Sequence, residues 1–298
     1  MIRKIYWRMI YASRKLLSAA SPTEATRYHY KKNNGKPLNL DNPTEFKEKL
    51  NWLKLNTYYN NPVITQCADK VEVRNYVIDA GLKEILNDII GVYSSFEEID
   101  WESLPQQFAL KCNHGCGYNI ICDDKSKLLK EDVKEKVDRW MKEKYWLTYA
   151  EVNYKFIKPK ILIEKYLDTN QGFLPYDYKF YCFNGEPVCC LVMVGRDLEM
   201  HAAFVDLNYE LIQINNKYSV RDFEVPDKPE CFEEMVRIAR KLSKGFPFVR
   251  VDLYDNNGKV IFGELTFTPA GGYQTSETTL ELNGRKVTMG ELLKLPER

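Results

Sequence analysis

Phe248-Val249-Arg250-Val251-Asp252-Leu253-Tyr254, a turn through Asp255-Asn256-Asn257-Gly258, then Lys259-Val260-Ile261-Phe262-Gly263-Glu264-Leu265-Thr266-Phe267: this stretch decides how the rest of the chain is read. Two apolar runs flank an Asn-Gly signal, the pattern of an antiparallel hairpin. One acid interrupts each run, Asp252 in the first and Glu264 in the second. Their separation is even, so a hairpin loop of odd length places both carboxylates on one face, and loops of roughly three or five residues containing Gly allow it. Facing acids repel unless a cation lies between them. Hard oxygen donors on a rigid hairpin suit Mg²⁺, which takes one or two carboxylates together with substrate phosphates. Neutralisation by a neighbouring base such as Arg250 is the other reading of the same pair.

Working outward, Thr268-Pro269-Ala270-Gly271-Gly272-Tyr273 follows the hairpin, and its glycines let backbone N–H groups approach a ligand or simply turn the chain. Upstream, a helix is expected over about 231–245 and a strand over Pro187–Val194 after the turn Asn184-Gly185. Asp177 and Lys179 share parity on a strand running to Phe183, and project either as an ion pair or toward a common ligand. Glu164 breaks the apolar run Ile161–Leu167, where a buried carboxylate requires a partner unless the strand faces water. Lys111 ends the strand 107–112 before Asn113-His114-Gly115-Cys116-Gly117, and Tyr118–Cys122 forms the returning strand. A lysine there reaches phosphate oxygens while loop N–H groups cap others, or it is merely solvated. No G-x-x-x-x-G-K-[ST] loop is present. Helices are expected over about 131–146 and 70–80, and after the start signal Asn42-Pro43-Thr44-Glu45. Strands and helices without regular β-α-β alternation mark an α+β fold.

The 298 residues carry 44% hydrophobic and 29% charged side chains and a formal net charge of +1, so no global field calls for nucleic acid. No apolar run is long enough to cross a bilayer. Residues 1–20 hold Arg3, Lys4, Arg8, Arg14 and Lys15, with Ile2, Ile5, Met9, Ile10, Leu16 and Leu17 between them. That is a basic amphipathic helix, interrupted too often for a secretory signal; it docks on the protein's own core or lies on an anionic membrane surface. Without a signal peptide, the eight cysteines read as reduced cytosolic thiols. The spacing of Cys112, His114, Cys116 and Cys122 matches no common structural zinc site.

Taken in order, these pieces resemble an ATP-grasp enzyme, and more closely its TupA-like branch, named for teichuronopeptide biosynthesis. Phe108-Ala109-Leu110-Lys111-Cys112-Asn113-His114-Gly115 and Phe262-Gly263-Glu264-Leu265-Thr266-Phe267 carry the resemblance most specifically. Asn42-Pro43-Thr44-Glu45-Phe46 and Ala68-Asp69-Lys70-Val71-Glu72-Val73-Arg74 also fit, so it covers nearly everything past residue 35. The resemblance implies two α+β lobes gripping ATP: a helical segment over 1–65, a first lobe with the glycine loop over 66–163, and a second lobe with the metal hairpin over 164–298. It implies that Lys111 and Arg74 contact phosphates, and that His114, Gly115, Cys116 and Gly117 form the loop over them. Glu164, Lys165, Tyr166 and Leu167 are then the hinge strand against adenine, with Asp168 at the ribose. Lys179 lies near the γ-phosphate, and Arg250 joins Lys111 and Lys179 as a catalytic cation. Asp252 and Glu264 hold Mg²⁺, with Thr266 as a third ligand where most ATP-grasp enzymes have Asn.

The implied reaction joins a carboxylate to an amine through an acyl phosphate. In this branch the carboxylate is expected on a hexuronic acid of a surface polysaccharide or capsule, and the amine on an amino acid or amino alcohol. A kinase or glycan transferase on the same fold is the rival reading. The implied location is cytoplasmic, at the inner face of the membrane if the N-terminal helix binds it.

Overall fold

The computed structural model describes residues 2–169, 174–195, 201–212, 225–273, 278–282 and 284–297. Two helices lead, α1 (Ile2–Ala20) and α2 (Pro22–Asn34). Ser21 separates them: its hydroxyl accepts from the Glu24 N–H, Pro22 supplies a first helical residue that needs no partner, and Gly35 closes α2 at φ 71°. α1 lies against α2 and the turn Tyr145–Leu147, with the Tyr11 hydroxyl 3.3 Å from Thr148 Oγ1. Leu16, expected on the packed face, is 71% exposed. The side chains of Ile2, Ile5 and Met9 lie outside the described residues.

α3 (Phe46–Leu55) begins four residues past Asn42, where Glu48 reaches back to the N–H groups of Thr44 and Glu45. α4 (Pro62–Ala68) is capped by Asn61, and α5 (Val73–Asp79) starts three residues later than the sequence pattern suggests. Asp69 is the reason: its carboxylate accepts from the Val71 and Glu72 N–H groups, a local turn that competes with helix.

The first sheet is antiparallel in the order β1-β4-β2-β3, built from β1 (Ile89–Tyr93), β2 (Phe108–Cys112), β3 (Asn119–Cys122) and β4 (Ile161–Lys165). β4 runs unbroken in that sheet, across the expected boundary at residue 163. α6 (Lys130–Lys142) packs Val133, Val137 and Trp140 against it. It ends four residues short of Trp146, because the Trp140 carbonyl is taken by the Glu143 N–H and by His114 Nε2.

The second sheet is also antiparallel, in the order β7-β6-β5-β8-β9. Its strands are β5 (Asp177–Phe183), β6 (Glu186–Val194), β7 (His201–Val205), β8 (Phe248–Asn256) and β9 (Lys259–Thr266), with α7 (Phe232–Ser243) across one face. Phe232, Met235, Ile238, Ala239 and Leu242 recur at helical spacing and are fully buried there. This core also takes Ile64, Cys67, Val73, Val77, Leu82 and Ile85, so α4 and α5 pack with the second sheet although they precede the first in sequence. A ribbon of β10 (Thr279–Leu282) and β11 (Arg285–Thr288) and the short α8 (Met289–Leu292) close the chain. Among the described residues no helix is long and apolar enough to cross a membrane.

Candidate functional site between the two sheets

The hairpin brings its two acids together by a route different from the expected one. Its loop is two residues, Asn257 and Gly258, both at positive φ (56° and 80°), and Asn256 pairs with Lys259. That even loop alone sets Asp252 opposite Gly263 and turns Glu264 to the other face. A bulge between Asp252 and Leu253 restores the parity, and Asp252 pairs with Glu264. Gly263 is what permits the bulge: a Cβ there meets the Asp252 carbonyl oxygen at 2.9 Å and the Tyr254 ring at 3.1 Å.

Asp252 is 1% exposed and held from two sides. Arg250 grips it with Nε to Oδ1 at 2.7 Å and Nη2 to Oδ2 at 2.6 Å. Lys179 Nζ donates to its Oδ2 at 2.7 Å and also lies 2.6 Å from Asp177, so the Asp177–Lys179 pair is real and extends across strands. Arg250 also donates to Thr266 Oγ1 at 3.1 Å, and that hydroxyl donates to Glu264 Oε1 at 2.9 Å. Burial pushes the Glu264 carboxyl up, but Lys70, Arg250 and Lys179 outweigh it and hold it at about 2. Both acids are therefore paired with bases, and both present oxygen donors on one face.

Across the cavity stands a matching cluster, Lys111 and Glu164 from the first sheet and Arg74 from α5. Lys111 Nζ donates to Glu164 Oε2 at 2.6 Å, and Arg74 Nη1 donates to Oε1 at 3.3 Å while its Nη2 holds the Asn87 carbonyl at 2.7 Å. Burial works against the Lys111 charge and Glu164 more than offsets it, so the ammonium is retained. Lys70 donates to the Gly115 carbonyl at 2.5 Å, which anchors the glycine loop. Lys70, Arg74, Lys111, Cys116, Gly117, Lys179, Asp252 and Glu264 line one cavity of about 270 Å³. A neighbouring cavity of about 380 Å³ is lined by Lys165, Tyr166, Leu167, Ile121 and Tyr254 and shares Lys111 with the first. The Asp168 carbonyl accepts from Asn257, which ties the end of this segment to the hairpin turn.

His114 departs from its expected place on the phosphate loop. Its ring is 4% exposed, bonded through Nε2 to the Trp140 carbonyl at 3.0 Å and packed on Tyr118, inside the first lobe. Its side chain is not among those lining the cavity around Lys111 and Asp252. Gly115 and Gly117 behave as loop residues, Gly117 at φ 76° and Gly115 so close to Tyr145 that a Cβ lies 2.6 Å from the ring. Sequence reasoning passed over Lys70, Lys54 and Glu151. Lys70 was visible only as part of a motif, and nothing local ties Lys54 or Glu151 to residues near position 270.

Among the described residues no group of three or more His, Cys, Asp or Glu side chains is arranged to hold a metal ion by itself. Asp252 and Glu264 still fit Mg²⁺ on donor chemistry, since that ion keeps several waters and takes its remaining oxygens from substrate phosphates. The profile of the family described as TupA-like ATPgrasp matches residues 48–288. No curated protein sequence matches the chain. Among solved structures, the chain is similar to an L-amino acid ligase from Bacillus licheniformis, with 13% identity, TM-score 0.48 and coverage of 85% of this chain and 56% of that one. It is also similar to the D-alanine–D-alanine ligase from Bacillus anthracis complexed with ATP, with 14% identity, TM-score 0.40 and coverage of 67% and 55%. A third is the ATP-grasp ligase PsnB complexed with minimal precursor, Mg and ADP, with 16% identity, TM-score 0.36 and coverage of 74% and 57%. The chain spans little more than half the length of these structures.

Proposed function

The chain belongs to the TupA-like ATP-grasp family, and from that premise we propose that it is an ATP-dependent carboxylate–amine ligase that forms an amide through an acyl phosphate. One observation carries the reading. A cavity between two sheets is faced on one side by cations (Arg74 and Lys111 around Glu164, with Lys70 at the glycine loop) and on the other by a surplus of acids. A triphosphate with a divalent cation complements that split: anionic oxygens toward the first sheet, metal toward the second.

In this proposal Arg74 and Lys111 hold the α/β-phosphates, and Lys165–Leu167 line the neighbouring cavity for adenine, with Asp168 toward the ribose. Asp252, Glu264 and Thr266 hold Mg²⁺, which when bound neutralises phosphate charge as a Lewis acid. Lys179 and Arg250, which share Asp252, would supply positive charge beside the transferred phosphoryl group. A substrate carboxylate attacks the γ-phosphorus and ADP leaves; the three cations Lys111, Lys179 and Arg250 stabilise the charge spread over the phosphoryl oxygens. An amine then attacks the acyl carbon and phosphate departs. Positioning and electrostatics suffice, and no covalent enzyme nucleophile is required.

The carboxylate is proposed to belong to a hexuronic acid of a surface polysaccharide or its precursor, and the amine to an amino acid or amino alcohol, by analogy with the family branch. The protein is proposed to act in the cytoplasm, and at the inner membrane face only if the basic helix α1 binds an anionic surface. The test is isotopic: the enzyme, ATP, Mg²⁺ and a panel of amines are incubated with a uronic-acid glycan carrying ¹⁸O in its carboxylate. One ¹⁸O should appear in the released phosphate, because the attacking oxygen leaves with phosphorus. Amide formed without label in phosphate sinks the acyl-phosphate route, and a phosphorylated glycan makes the protein a kinase.

A further inference from the structure

Another cavity, about 320 Å³, opens beside the triphosphate cavity on the same face of the hairpin. The two share Cys116 and Glu264, so whatever fills one lies next to whatever fills the other. Arg250 and Thr266 form the wall nearest the hairpin. Four tyrosines, Tyr145, Tyr149, Tyr154 and Tyr273, share the remaining walls with Asn33 and the 268–271 turn. Their rings form two pairs, Tyr145 edge-on to Tyr154 at 5.2 Å and Tyr149 tilted against Tyr273 at 6.2 Å. At the bottom lies one acid, Glu151, 5% exposed. Thr268 Oγ1 donates to its Oε2 at 3.0 Å, and the Tyr145 hydroxyl donates to it as well, so the carboxylate is oriented by neutral hydroxyls alone.

Lys54 is the nearby buried base, but it does not ion-pair with Glu151. Its Nζ donates to the Tyr273 hydroxyl at 2.7 Å and to the Gly271 carbonyl at 3.2 Å, behind the tyrosine wall. A carboxylate lacking a directly bonded cation, at the base of an aromatic-walled pocket, is a receptor for a cation that arrives from outside. Ring faces attract an ammonium and the carboxylate receives its N–H groups.

We propose that the Glu151 cavity binds the amine substrate as a primary ammonium, held by Glu151 and the faces of the surrounding tyrosines beside the phosphoryl-transfer centre. The proposal rests on the ligase reading, and it names where the second substrate waits and what recognises it. Burial raises the proton affinity of the Glu151 carboxyl, in keeping with a group that takes one proton from the incoming ammonium. The step balances: R–NH₃⁺ gives H⁺ to the carboxylate, R–NH₂ bonds to the acyl carbon, and the carbon–oxygen bond to phosphate breaks. The amide nitrogen's second proton leaves with the phosphate.

The test uses the full chain and a fixed set of probes: ethanolamine, L-alanine, L-lysine and glucosamine, each against a matched analogue with hydroxyl in place of amine. Binding is followed by saturation-transfer NMR and calorimetry, with MgATP titrated into the same samples. At least one amine should bind, its hydroxyl analogue should not compete, and Glu151→Gln should weaken it at least about tenfold, the loss of one charge-assisted contact. Tyr149→Leu changes a 40% exposed ring and should weaken the same amine by about two- to fivefold without unfolding the chain. Equal binding of the hydroxyl analogue, or unchanged affinity in both variants, overturns the proposal. Wild-type protein that binds MgATP but none of the amines overturns it while leaving the ligase reading intact. Protein that binds neither removes both.

Discussion

Two clusters face each other across the cavity, each an acid clamped by two bases, yet they are built differently: β4 and β2 supply Glu164 and Lys111 while helix α5 supplies Arg74, whereas Asp252, Lys179 and Arg250 all come from the second sheet. Glu164 sits between Lys111 and Arg74, whose side chains are 23% and 17% exposed. Asp252 sits between Lys179 and Arg250, 12% and 13% exposed, and is itself 1% exposed. The first cluster is cation-rich and wetter, and the second is drier and carries Asp177 and Glu264 besides. Charge surplus separates their tasks: the first can receive anionic phosphate oxygens, whereas the second has acids to share with a metal. Dryness separates their stakes, because a buried charge that loses its partner cannot turn to water.

The largest effect should come from the second cluster's outer acid. Glu264→Gln keeps the shape and removes a charge, and turnover of ATP should fall by at least about 100-fold while the melting temperature stays within a few degrees. Turnover comparable to wild type at saturating Mg²⁺ removes the hairpin from the site and breaks the division of tasks.

A paired substitution sharpens the contrast in dryness. Asp252→Asn leaves Lys179 and Arg250 short of their shared partner and should cost about 3 kcal/mol in urea unfolding. Glu164→Gln should cost about 1–2 kcal/mol, since Lys111 and Arg74 can reach solvent. Equal losses would mean that burial does not distinguish the clusters.

The smallest effect concerns Lys54, behind both. Burial lowers its ammonium from 10.5 to about 7, with Glu151 acting in the opposite direction. Between those values the unfolded chain holds a proton that the folded chain does not, so stability from this group rises as pH rises from about 7 toward 10.5. Lys54→Met should flatten that part of the stability–pH profile, measured by denaturant midpoints at successive pH values. A profile with the same slope in both proteins shows that Lys54 stays charged.

Much of this was legible in the sequence. Alternating apolar runs with interrupting acids marked β4, β5, β8 and β9, and the motifs placed Lys111, Glu164, Lys179, Asp252 and Glu264, which the fold brings around one cavity. Local signals fixed the helix starts only approximately, since Asp69 and Glu48 compete for backbone N–H groups in ways a periodicity count does not register. β1, β7, β10 and β11 went unread: β1 is largely exposed on both faces, β7 and β11 carry no clean alternation, and β10 alternates over only four residues.

What the sequence determined by itself is chemistry at single positions: which residues carry charge inside apolar strands, and which glycines permit a turn. Only the tertiary structure decided partnership. The hairpin loop is even, and one bulge at Gly263 puts Glu264 beside Asp252; the parity argument arrives at the right pair through the wrong loop. His114 lies within the phosphate-loop motif yet packs inward, because the Trp140 carbonyl at the end of α6 takes its ring as well as the Glu143 N–H. Glu151 and Lys54 meet residues 268–273 across more than a hundred positions of sequence, and the tyrosine-walled cavity exists only where the chain closes on itself. Short-range patterns record what a residue can do; the long-range packing of two sheets determines what it faces.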